Sequence, residues 1–158
     1  MHTTANQRSV VHNTFSIERT YPSPPARVFA AFSNQGTKRR WFAEGEGWEV
    51  DEFTLDFRVG CYEISRFRFK GGPPMGNDTI HLDIVPDQRI VIVYTMTVAD
   101  TRISVSLATM EFAPSGEGTR LVYTEQGAFF EGVDAAKQRE NGCRWLLEQL
   151  AEELRTQS

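Results

Sequence analysis

Cysteine and histidine are scarce in this 158-residue chain, which has two of the first, Cys61 and Cys143, and three of the second, His2, His12 and His81. The cysteines form no CxxC pair and the histidines are scattered. Neither a zinc site nor a disulfide framework is indicated, and both thiols are expected to be reduced and packed. No metal and no cofactor is expected. Long apolar runs are lacking too. Residues 1–13 hold only Val10 and Val11 as an apolar pair, short of a secretory signal, and this opening segment is expected to be flexible. Nothing later approaches the roughly 20 apolar residues that span a bilayer, so the chain reads as cytoplasmic, with no membrane partner. An excess of one charge is missing as well. Seventeen Lys and Arg stand against 21 Asp and Glu, a net charge of −4, which gives no reason to expect a nucleic-acid partner.

What the chain does have is aromatic rings: eleven Phe, four Tyr and three Trp. A chain of this length can bury roughly 68–70% of the surface its unfolded form exposes, enough for a core without staples. From Thr14 to Tyr21, Phe15, Ile17, Arg19 and Tyr21 alternate with polar residues, the pattern of a half-covered strand. Ser23 and Pro24 then suit a helix start, with Val28, Phe29 and Phe32 on one face. The helix is expected to end near Ser33 to Gly36. Lys38, Arg39, Arg40, Trp41 and Phe42 suggest a second short helix or turn, basic side to water and aromatics over the core. Six further strands are expected at Phe53–Val59, Cys61–Phe69, Asp78–Val85, Arg89–Val98, Ile103–Phe112 and Thr119–Gln126. The short turn-rich spacers between them predict an antiparallel meander. From about Val133 to Arg155, Ala136, Cys143, Leu147, Leu150 and Leu154 follow helical spacing. Arg139 stands beside that stripe and Trp145 points away from it.

These elements predict an α+β architecture, a curved sheet around the long C-terminal helix, with a gap near one end of that helix. The gap is the candidate pocket. Trp41, Phe42, Tyr62, Tyr94, Met96, Phe129 and Phe130 are candidate lining residues, although core packing would use the same types. Glu125 and Arg139 are charges on otherwise apolar sides, either pocket groups or a structural pair. The mixed strand with Glu63, Arg66 and Arg68 reads most simply as a guarded edge, and alternatively as a cavity wall. His81 is expected on the outer face, because Ile80, Leu82 and Ile84 should take the covered one. Trp145 is expected to lie under a loop or in a homodimer contact. No credible triad or phosphate loop is present, and no catalytic residue is assigned.

Several stretches in order resemble one family. They are Phe15 with Glu18-Arg19, Arg27-Val28-Phe29, Arg40-Trp41-Phe42, Asp56-Phe57-Arg58-Val59-Gly60, Pro86, Gly118-Thr119-Arg120-Leu121, Asn141-Gly142, Leu146-Leu147 and Leu150-Ala151. Residues 14–155 thereby resemble the single-domain proteins similar to the C-terminal domain of the Hsp90 ATPase activator, in the START-like (SRPBCC) helix-grip superfamily. Cys143 departs from the pattern, since many members carry tryptophan there. The resemblance implies a single domain over residues 14–156, with two short helices after the first strand and an apolar cavity under the last helix. It leaves three functions open. The first is non-catalytic binding of a small hydrophobic or amphipathic molecule. The second is a cyclase- or hydratase-like enzyme on a polyketide-like substrate, using Glu125, Arg139 or a tyrosine. The third is an Hsp90 co-chaperone, although this chain has room for only the later of the activator's two domains.

Overall fold

A computed structural model describes residues 9–156. Seven strands form one antiparallel sheet in the order β1-β7-β6-β5-β4-β3-β2. They are β1 (Val11–Tyr21), β2 (Trp48–Leu55), β3 (Tyr62–Phe69), β4 (Met75–Val85), β5 (Arg89–Val98), β6 (Thr101–Ser115) and β7 (Gly118–Phe129). The helices α1 (Pro25–Ser33) and α2 (Gln35–Lys38), then a π-helical turn at Arg39–Ala43, carry the chain from one sheet edge to the other. The long helix α3 (Ala135–Thr156) ends it. The sheet curves around α3, giving the α+β helix-grip, START-like architecture.

The apolar stripe of α3 is what the sheet grips. Leu147, Leu150 and Leu154 are buried with Phe15, Ile17 and Leu121 from the sheet and Val28, Phe29 and Phe32 from α1. The rings interlock edge to face: Phe112 lies 5.4 Å from Phe29 and 5.5 Å from Phe32, and Phe32 lies 5.1 Å from Trp41. Polar tips buried with these rings find partners, as desolvation requires. Tyr21 donates to the Leu147 carbonyl at 2.9 Å and Trp41 donates to the Ala31 carbonyl at 2.9 Å. This dry core occupies the C-terminal half of α3. The N-terminal half faces a gap.

Several local expectations are corrected. Strand β1 begins at Val11 and pairs with β7 from Val11↔Phe129 onward, so the strand takes in part of the expected flexible segment; residues 1–8, including His2, lie outside the described residues. Strand β2 begins at Trp48 and stops at Leu55. Arg58 folds back on Asp56 at 2.6 Å and Gly60 takes φ +86°, so Asp56–Gly60 is a loop. Ser23 does not cap α1; its carbonyl accepts from Thr119 at 2.7 Å, and Pro24 occupies the cap. Strand β3 is no edge, since β2 and β4 flank it.

Gly142 sits inside α3, where a methyl group in place of its hydrogen would meet nothing within 4 Å. Glycine costs a helix interior roughly 0.5–1 kcal/mol relative to alanine. Gly142→Ala is therefore expected to raise stability by about that amount in urea unfolding. A lowered midpoint would show that the helix needs the glycine.

Candidate functional site

Register fixes which side chains share the concave face. One cross-strand row runs Glu63, Thr79, Tyr94, Ser106, Gly127, and its neighbour runs Ser65, Asn77, Met96, Ser104, Phe129. A third runs His81, Ile92, Ala108, Glu125. Over these rows and under residues 139–147 of α3 lies a cavity of about 250 Å³. Trp41, Phe42, Phe67, Ile92, Met96 and Leu146 supply its apolar wall. Its solvent side is marked by the exposed lining residues Glu44, Gly142 and Trp145. There Gly45 is squeezed between two indoles: a Cβ at that position would stand 3.1 Å from Trp145 Cη2 and 3.2 Å from Trp48 Cδ1.

Polar groups stand at two ends of this space. At the first, Glu125 is fully buried beneath the lining. Tyr94 donates to its carboxylate at 2.8 Å and Tyr123 at 2.7 Å. Arg139 donates to the Tyr94 hydroxyl at 3.0 Å and to Ser104 Oγ at 2.8 Å, with Nη1 3.4 Å from Glu125. Its guanidinium lies over the Phe129 and Tyr94 rings, 5.3 and 5.6 Å from their centroids. Burial pushes both phenols well above their ordinary value, with the neighbouring acidic groups adding to it. Burial first, then the Glu125 charge, pushes the Cys143 thiol up to about 12. At neutral pH these are hydrogen-bonding groups and not nucleophiles.

At the second end Lys38 donates to Glu63 at 2.7 Å, and the two side chains are 10% and 3% exposed. The ammonium sits 4.6 Å from the Phe42 ring centroid. Thr79 donates to Asn77 Oδ1 at 2.8 Å. Ser65 is buried beside them on the lining, and its Oγ has no hydrogen-bond partner among the described residues.

Of the residues expected here, Trp41, Phe42, Tyr94, Met96 and Arg139 line the cavity, and Glu125 supports it from below. Phe129 is buried against Arg139, outside the lining. Tyr62 points the other way and is half exposed, because its neighbour Glu63 takes the inward position. Trp145 stands at the cavity rim. Lys38 does not face water: it turns inward to Glu63 while Arg40 reaches Glu153 at 2.8 Å. Lys38, Ser65, Asn77, Thr79 and Tyr123 carry no local mark of this role, since they are brought to one cavity by the register of the sheet and, for Lys38, by its contact with Glu63 on β3.

His81 corrects the expected phase of β4. It is buried and Leu82 is half exposed. The inward face of this strand is polar because it walls a cavity. The Nδ1–H of His81 donates to the Cys61 carbonyl at 2.9 Å, and Phe57 packs 5.1 Å from its ring. Burial first, and the Lys38 charge with it, holds its pKa below the ordinary 6.5 against the pull of that hydrogen bond. The unfolded chain therefore binds a proton near pH 6.5 that the folded chain refuses until lower pH, and stability is lost as pH falls through that window. Thermal unfolding is expected at lower temperature at pH 5.5 than at pH 7.5, with a smaller difference in His81→Gln. An unchanged difference would place the titrating group elsewhere.

Among the described residues, no helix is long and apolar enough to cross a membrane, and no three or more His, Cys, Asp or Glu are grouped to hold a metal.

The profile of the activator of Hsp90 ATPase homolog 1-like proteins matches residues 22–156. Among solved structures, the Mll3558 protein of Rhizobium loti is 57% identical, with a TM-score of 0.86 over 92% of this chain and 99% of that one. An uncharacterised protein of Rhizobium leguminosarum is 38% identical, with a TM-score of 0.89 over 94% and 97%. The CV1439 protein of Chromobacterium violaceum is 26% identical, with a TM-score of 0.74 over 89% and 95%. No curated protein matches the chain.

Proposed function

The chain belongs to the activator of Hsp90 ATPase homolog 1-like family, and from that premise we propose that it holds a small, largely apolar molecule between sheet and α3 without transforming it. The START-like grip is a ligand-binding fold. The observation that carries the proposal is the cavity of about 250 Å³, walled by aromatic rings and edged by the Arg139 cluster. An apolar cavity of about 150 Å³ already takes benzene, so this one has room for roughly one to two rings. Chemistry is disfavoured because the candidate groups are occupied or out of reach. The Glu125 carboxylate accepts from two tyrosines, His81 is buried and stands outside the cavity lining, and the Cys143 thiol stays protonated.

Thermal unfolding with a library of small aromatic compounds tests this. Some are expected to raise the midpoint saturably, less so in the cavity-filling variant Met96→Trp, and to be recovered unchanged. No shift with any compound would remove the proposal. One observation favours a second reading, an enzyme of the cyclase or hydratase kind. Tyr94 lines the cavity and its hydroxyl joins Glu125 to Arg139, so acid–base groups lie directly behind the wall. Conversion of a bound compound, lost in Tyr94→Phe and Glu125→Gln, would decide for it.

A further inference from the structure

Resting on the binding reading above, we infer that the ligand is an uncharged, flat molecule with a hydrogen-bonding group at each end: a carbonyl-type acceptor toward Arg139 and a hydroxyl toward Ser65. Charge excludes the ionised alternative. The charged lining residues are Lys38, Glu44, Glu63 and Arg139. Each has an opposite charge beside it: Lys38 with Glu63 at 2.7 Å, Glu44 with Arg39 at 2.6 Å and Arg139 with Glu125 at 3.4 Å. The pairs cancel, so a carboxylate or ammonium brought in by the ligand would lie in an apolar space without a counter-charge, the costliest group to desolvate.

The ends are assigned by what each offers. Tyr94 and Tyr123 spend their hydrogens on Glu125, so what remains for a guest at that end is the guanidinium of Arg139, a group that only donates. An acceptor such as a ketone or ester oxygen fits there. At the other end the Ser65 hydroxyl, buried and unpartnered, both donates and accepts. Leaving such a group unpaired is costly, and a ligand hydroxyl would satisfy it.

The span is set by the sheet. Ser65 and Ser104, the serine that holds Arg139, lie in one cross-strand row with Asn77 and Met96 between them. That is three strand spacings, roughly 14 Å, of which the side chains at both ends take several ångströms. Met96 provides an apolar floor midway, with Trp41 and Phe42 among the rings of the wall. A two-ring planar body with substituents at opposite ends matches this sequence of polar, apolar and polar surface.

Titration calorimetry at pH 7.0 with three naphthalenes tests the inference. They are 6-acetyl-2-naphthol (neutral, both polar ends), 2-acetylnaphthalene (neutral, no hydroxyl) and 6-hydroxy-2-naphthoic acid (ionised). The naphthol is expected to bind about tenfold more tightly than either of the others. Ser65→Ala is expected to reduce its affinity about tenfold while leaving 2-acetylnaphthalene unchanged, and to leave thermal stability equal or higher because it removes an unpaired hydroxyl. Tighter binding of the acid, or an equal response of both neutral compounds to Ser65→Ala, would overturn the inference and leave the binding reading standing. Failure of all three to bind, together with no shift across the aromatic library, would overturn both.

Discussion

Lys38→Met is expected to destabilise the fold by about 3–5 kcal/mol, one of the two largest losses among single substitutions at the site. The Lys38 ammonium is held 2.7 Å from Glu63, with both side chains nearly out of water. Removing it leaves a carboxylate in the cavity wall without a counter-charge, and the penalty is that of the abandoned partner more than of the lost attraction. The sharper form of the prediction is therefore the double substitution. Lys38→Met with Glu63→Leu is expected to recover most of the loss, because a buried pair replaced by apolar groups of similar volume is often neutral or stabilising. Urea unfolding of the four proteins closes the cycle, with the m-value unchanged if the unfolded state is unaffected. Equal losses in single and double variants would mean that Lys38 acts through packing on the Phe42 ring instead.

Glu125→Leu is the second, with an expected loss of about 4 kcal/mol. The carboxylate is fully buried and organises everything around it: two phenols donate to it and Arg139 leans on it. Leucine would strand two hydroxyl donors and a largely buried guanidinium at once. Glu125→Gln keeps an acceptor oxygen in place and is expected to lose less than half as much. A leucine variant as stable as the parent would show that the cluster rearranges around other acceptors.

The fold was legible because most of it is written in local periods. The alternation of Phe15, Ile17 and Tyr21, the turn residues between the later strands, and the stripe from Ala136 to Leu154 each follow from the face they bury. The errors at the cavity share one physical cause. Sequence pattern assumes that apolar residues point inward, and this holds for a packed core but not for the wall of a cavity. Strand β4 turns Asn77, Thr79 and His81 inward and leaves Leu82 half exposed, so its phase reads backwards up to the bulge after His81, beyond which Ile84 packs on the core as expected. Lys38 stands in a run of three basic residues that resembles a solvated face, and only the position of Glu63 on β3 draws it inside. Arg139 and Glu125 were visible as charges on apolar sides. Their connection through Tyr94, 45 residues before Arg139, belongs to the register of the sheet.

The central claim, that the space between sheet and helix accepts a guest, is tested most directly by a crystal structure of the protein grown with 6-acetyl-2-naphthol. The account predicts the naphthalene between Met96 and the Trp41 and Phe42 rings, its carbonyl toward Arg139 and its hydroxyl within hydrogen-bond distance of Ser65 Oγ. A cavity closed by its own side chains, or a naphthol bound only elsewhere, would contradict it.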